Sequence, residues 1–164
     1  MYTTEDGITV SSTVVGIEHP LNAIDDIVNK IDNNLGILLT SSYEFPGRYA
    51  RWSVGFTAPA IQIEGTGLNF KIKALNARGV ILIGMIEQKL LQENQLFSMK
   101  SRNAKLDGTI VIDGSVIASE EYFPEEERSK QPSLFSLVRS IRDLFFNDEA
   151  GQLGLYGALG YDLT

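Results

Sequence analysis

The chain has 164 residues, 43% hydrophobic and 21% charged, a composition that supports a folded core and excludes a disordered polymer. Its formal net charge of -7, with 14 Lys and Arg scattered along the sequence, argues against a nucleic-acid partner. No cysteine is present, which excludes disulfides and thiolate metal sites, and no apolar run approaches the ~18 residues of a membrane span. One compact cytoplasmic unit spanning residues 1–164 is expected, and the start Met1-Tyr2-Thr3-Thr4-Glu5-Asp6 lacks the marks of a secretion signal.

In chain order, Ile8 to Val15 is rich in β-branched residues and reads as a strand, which His19-Pro20 interrupts. Ile24, Ile27, Val28 and Ile31 then recur at helical spacing, and Gly36 restarts extended structure through Ile37, Leu38 and Leu39. Arg51 to Thr57, Ile61 to Glu64, Leu68 to Ala74 and Val80 to Ile86 read as the strands of an antiparallel meander. They are separated by Pro59, Gly65-Thr66-Gly67 and Asn76-Ala77-Arg78-Gly79. Gln88 to Leu96 fits either helix or strand, and Thr109 to Ser119 is β-rich with Asp113-Gly114 as an internal turn or bulge, suggesting a hairpin. The acidic run around Pro124 is a solvated loop, because so many like charges cannot be buried together. Ser133 can cap a helix whose apolar face is Leu134, Leu137, Val138, Ile141, Leu144 and Phe145. Four glycines from Gly151 to Gly160 recur every third residue without collagen's proline, as in a segment packed closely on another backbone. The fold class is α+β, with largely antiparallel sheets flanked by helices.

Chemistry concentrates in one stretch. From Gly36 an apolar strand runs into Thr40, Ser41 and Ser42, and Arg48 and Arg51 follow across a turn. Hydroxyls at a strand end with guanidinium groups nearby suit a small carboxylate-bearing ligand, and an edge strand with a Ser-rich turn is the plainer alternative. Tyr43, Tyr49 and Trp52 read as packing residues. Elsewhere the inventory is thin: one histidine, His19, beside a helix entry, no Gly-x-x-x-x-Gly-Lys phosphate loop, and no EF-hand spacing in the acidic loop. No catalytic set and no metal site is expected.

Leu38-Leu39-Thr40-Ser41-Ser42, Gly47-Arg48-Tyr49-Ala50-Arg51-Trp52, Ala74-Leu75-Asn76-Ala77-Arg78-Gly79 and Gly154-Leu155-Tyr156-Gly157-Ala158-Leu159-Gly160-Tyr161-Asp162 occur in this order. Together they resemble the N-terminal region of anthranilate synthase component I, most closely the long bacterial form fused to its glutamine amidotransferase. The resemblance implies an enzyme that makes anthranilate, pyruvate and glutamate from chorismate and glutamine, the committed step to tryptophan. It implies Mg2+ in the complete enzyme, a C-terminal chorismate-binding domain, and an amidotransferase domain or subunit as partners. Because that chorismate domain would follow Thr164, the chain is expected to be truncated before it and inactive alone.

For these residues the resemblance implies a regulatory role. The family's feedback site for L-tryptophan carries Leu-Leu-Glu-Ser and, about ten residues on, a basic residue. Leu38, Leu39, Thr40 and Ser41 match the motif and Arg51 the basic position, so Leu39, Thr40, Ser41 and Arg51 are the candidate effector-binding residues. Thr40 stands where many members have Glu, which removes a carboxylate from the ligand's ammonium. Aminodeoxychorismate or isochorismate synthesis, or a free-standing amino-acid sensor, are the alternative readings.

Overall fold

The computed structural model describes residues 1–40, 53–104, 108–119, 123–148 and 153–160. The elements are β1 (Tyr2–Thr3), β2 (Thr9–Val10), α1 (Pro20–Ile31), β3 (Gly36–Thr40), β4 (Ser53–Thr57), β5 (Ile61–Thr66) and β6 (Asn69–Ala74). After them come α2 (Ala77–Gln92), β7 (Phe97–Ala104), β8 (Ile110–Val116), a 3-10 turn at Glu125–Lys130, and α3 (Leu134–Phe145). Helices and antiparallel sheets make this an α+β fold, as expected, and the residues divide into two compact units, 13–59 and 1–12 with 60–164.

The larger unit is built on a four-stranded antiparallel sheet in the order β5-β6-β8-β7. In β6 the side chains alternate, and Phe70, Ile72 and Ala74 are buried while Asn69, Lys71 and Lys73 face the other way. Ile72 sits opposite Ile112 and Phe70 opposite Gly114 of β8, so the registers of both strands put one apolar row under the helices. Gly114 is glycine because Phe70 fills the space: an added Cβ would stand 2.8 Å from the ring Cε2 and 3.0 Å from the Ser98 carbonyl. Phe97 of β7 closes the row edge-to-face on Phe70, with ring centroids 6.2 Å apart. The opposite face is polar and paired across strands. Lys73 reaches Glu64 at 2.7 Å, Lys71 lies 3.7 Å from Asp113, and Ser101 donates to Asp113 at 3.1 Å.

Helix α2 begins where Asn76, in extended backbone, accepts the Gly79 N–H through its side chain at 3.1 Å. Its buried residues Gly79, Ile83, Ile86 and Leu90 follow helical spacing and lie on the sheet. Helix α3 is capped as the sequence predicts. Ser133 accepts from the Phe135 N–H, Ser136 Oγ accepts from the Ser133 N–H, and Leu134, Leu137, Ile141 and Leu144 are buried. The helices cover one face of the sheet and share its core. Burying side chains such as Ile72, Ile83 and Leu137 completely contributes about 1.5–3 kcal/mol each, the main favourable term here.

The smaller unit pairs β3 with β4 antiparallel, from Gly36 opposite Thr57 to Thr40 opposite Ser53, with α1 against them. Gly36 and Gly55 mark the close approach: a Cβ on Gly55 would lie 2.9 Å from Leu38 Cδ1 and 3.3 Å from Ile27 Cδ1.

Several expectations are corrected. Val80 to Ile86 is not a strand but the middle of α2. With an Asn cap at its start and apolar residues at helical spacing on both sides, the run buries itself as a helix. The ambiguous stretch Gln88 to Leu96 completes that helix and its exit turn. The expected strand Ile8 to Val15 shrinks to Thr9–Val10, and Val14 and Val15 are exposed. Asp113-Gly114 is not a turn, since β8 continues through it, but the β7–β8 register does shift opposite it, where Met99 pairs with Gly114 and Ser101 with Asp113 as a bulge on β7; the hairpin here joins β7 to β8. The sheet is therefore not a simple meander: α2 and β7 intervene in sequence between the neighbours β6 and β8.

Candidate functional site

The sequence places its candidate site where β3 ends. Leu38 pairs with Gly55, Leu39 with Val54 and Thr40 with Ser53, so the last rung brings residues on either side of the 41–52 segment together. On that rung the Thr40 and Ser53 hydroxyls hydrogen-bond at 2.8 Å, and both are exposed. Leu38 shares the α1 side of the ribbon with Gly55, so the pleat sends Thr40 to that side and Leu39 to the other. Leu39 is 47% exposed, an apolar side chain left uncovered on that opposite side. The structure thus joins Thr40 to Ser53, a partner the sequence did not point to, and separates Thr40 from Leu39. Ser41 and Arg51 lie outside the described residues.

A second concentration of polar groups lies in the larger unit, in a cavity of about 450 Å³ between the turn after β1, α2 and α3. Lys89 is its centre. It donates to both Asp6 oxygens, at 3.1 and 3.2 Å, and lies 3.5 Å from Glu93 Oε1 one turn along the helix. Glu93 in turn accepts from Ser140 of α3 at 2.5 Å. The hydrogen bond to Asp6 raises the Lys89 pKa above its ordinary value. Burial pulls it down, and the charges of Asp6 and Glu93 add to the rise. Lys89 and Glu93 stand four residues apart on one helix, a spacing visible in sequence, whereas Asp6 is 83 residues away and carried no such signal. His19, the N-cap residue of α1, makes no side-chain capping bond. Among the described residues no three Asp, Glu or His groups gather closely enough to hold a metal ion. Nor, among them, is any helix long and apolar enough to cross a membrane.

Comparison with known proteins identifies the chain's relationships. Over 163 residues it is 36% identical to the anthranilate synthase of Azospirillum brasilense, an alignment that covers 99% of this chain and 21% of that enzyme. The chain is homologous to a part of anthranilate synthase. It spans about one fifth of the length of that curated relative. No family model and no solved structure matches the chain. The alignment agrees with the resemblance drawn from the motifs around Leu38, Arg51, Asn76 and Gly157, and it extends over nearly the whole anthranilate synthase-like segment rather than those motifs alone.

Proposed function

We propose that the chain is the N-terminal, effector-sensing region of an anthranilate synthase, acting in the cytoplasm on the route to tryptophan. The observation that carries this is the end-to-end alignment with a part of that enzyme. In this reading L-tryptophan is the effector, and its polar end meets Thr40 and Ser41 at the end of β3. Arg51 offers charge-assisted bonds to its carboxylate, and Leu39 gives apolar wall. The Thr40–Ser53 hydroxyl pair supports the placement, because it ties together the two strands from which the ligand groups depart. Chorismate and magnesium chemistry belongs to the remainder of the enzyme, and glutamine-derived ammonia to its amidotransferase. Alone this region senses and does not catalyse. Sensing becomes inhibition only where two states of the whole enzyme hold the effector with different affinity.

Titration calorimetry of the protein with L-tryptophan tests the reading. Saturable heat at millimolar ligand or below, reduced at least tenfold in affinity by Arg51→Ala, is expected. No heat at millimolar tryptophan, with Arg51→Ala leaving feedback inhibition of the longer enzyme unchanged, would overturn the site. Thr40 in place of the family's usual Glu favours keeping one alternative, a related chorismate-using enzyme with another product. Thr40→Glu should tighten tryptophan binding if the effector reading holds, and chromatography of the products made by the longer enzyme separates the two.

A further inference from the structure

The first ten residues form a small structure of their own that reaches across the larger unit. β1 and β2 pair over only two rungs, Tyr2 with Val10 and Thr3 with Thr9. Such a pair is too short to stand alone in water. What anchors it is a set of long-range bonds to the ends of the two helices. Tyr2 is buried and donates its hydroxyl to the Phe145 carbonyl at 3.3 Å, and Asn147 donates to the Thr3 carbonyl at 3.4 Å. At the turn, Thr4 is buried and closes the loop, accepting the Ile8 N–H on Oγ1 at 3.1 Å and the Gly7 N–H on its carbonyl at 3.0 Å. The turn's outer end is held by Asp6 on Lys89, with both carboxylate oxygens engaged.

We infer that residues 1–10 are a strap across the ends of α2 and α3, locked by the Asp6–Lys89 pair, which opens and closes without the sheet unfolding. Three features support separate opening. The strap's apolar contacts are confined to two side chains, Tyr2 buried and Ile8 packed at the edge of the core. Most of its fixings are polar and partly exposed, the class of contact that opens locally at low free energy. The residues that follow, 11–19, carry no regular structure and are exposed, so they give slack rather than resistance. Opening has a consequence for the polar cavity, because Glu5 and Asp6 form one wall and Lys89 and Glu93 another. Releasing Asp6 removes that wall and leaves the Lys89 ammonium with Glu93 alone, so the strap decides whether this cleft keeps its acidic wall or widens around an exposed cation.

Native-state hydrogen exchange on the protein tests this. The Thr4, Gly7 and Ile8 amides should exchange through an opening that spares the β6 and β8 amides. Asp6→Asn should speed the strap amides roughly 1.5- to fivefold, as expected for losing a partly exposed ion pair, and leave β6 and β8 unchanged. Raising NaCl to about 0.5 M should speed the original protein in the same direction by screening the pair. Lys89→Gln should reproduce the effect from the other partner if Asp6→Asn folds poorly. Strap amides that exchange only with β6 and β8, or that neither substitution affects, would overturn the inference.

Discussion

Helix α2 carries two glycines, Gly79 in its first turn and Gly84 in its middle, and the structure assigns alanine opposite effects at the two places. Helix propensity alone favours Ala over Gly by about 1 kcal/mol at either position. At Gly84 nothing lies within 4 Å of an added Cβ, so that gain should appear, raising stability by about 0.5–1 kcal/mol. At Gly79 the Cβ would drive into the Ala60 carbonyl and stand 3.1 Å from the Ala74 Cα. Both obstacles are backbone, and the Ala60 carbonyl is already committed to the Leu75 N–H at 2.9 Å. Neither can swing aside as a side chain would. Overpacking costs about 1–3 kcal/mol. Taking the upper end for an unyielding neighbour and subtracting the propensity gain leaves Gly79→Ala about 2 kcal/mol less stable. For a chain of this size each kcal/mol moves the melting temperature by about 2–4 °C. Circular dichroism melts should therefore show Gly84→Ala rising by about 1–4 °C and Gly79→Ala falling by about 4–8 °C, with unchanged urea m-values. Equal shifts of the same sign in the two variants would refute the seating of α2 on β5 and β6.

Other outcomes follow from the same packing. Leu137→Ala opens a cavity between α3 and the sheet and should cost about 2–5 kcal/mol in urea unfolding. Ser133→Ala removes the acceptor for the Phe135 N–H and should cost about 1 kcal/mol, with Ser133→Asp recovering most of it. The raised pKa of Lys89 means its pairing adds stability in full below the pKa of an unfolded lysine, about 10.4. That contribution disappears as pH rises through the higher folded value. Urea midpoints from about pH 9 to 12 should fall less steeply in Lys89→Met than in the original protein.

Helix α3 was legible because Ser133 and its apolar spacing state one answer at two levels, cap and face. The strand β6 was equally plain, its apolar residues falling on alternate positions. Helix α2 was misread because Val80-Ile81-Leu82-Ile83 has the residue types of a buried strand. Only its continuation through Ile86 and Leu90, and the Asn76 cap, reveal the period. Strand β7 escaped notice because its second half, Lys100 to Ala104, is exposed and nearly devoid of apolar residues. It is held by its ladder to β8 and by Arg102 meeting Glu87 of α2 at 3.1 Å, and neither is a local property. Around the candidate site, Thr40 was visible and its partner Ser53 was not, because pairing register across a 12-residue connection has no signature in composition.

The insertion of β8 between β6 and β7 sets an order of assembly. Strands β5 and β6 are neighbours in sequence and can meet as soon as both exist, but β6 finds its second neighbour only after α2 and β7 have been made. During synthesis on the ribosome β6 keeps one open edge until residues 110–116 emerge, some 40 positions later, and the apolar row Phe70, Ile72 and Ala74 is fully covered only once α3 follows. That wait ends when β8 arrives, since it is the strand that pairs with both β6 and β7. If that pairing is part of the folding barrier, Ile112→Val at the buried centre of β8 should slow refolding more than it hastens unfolding, and the reverse partition would place β8 after the barrier.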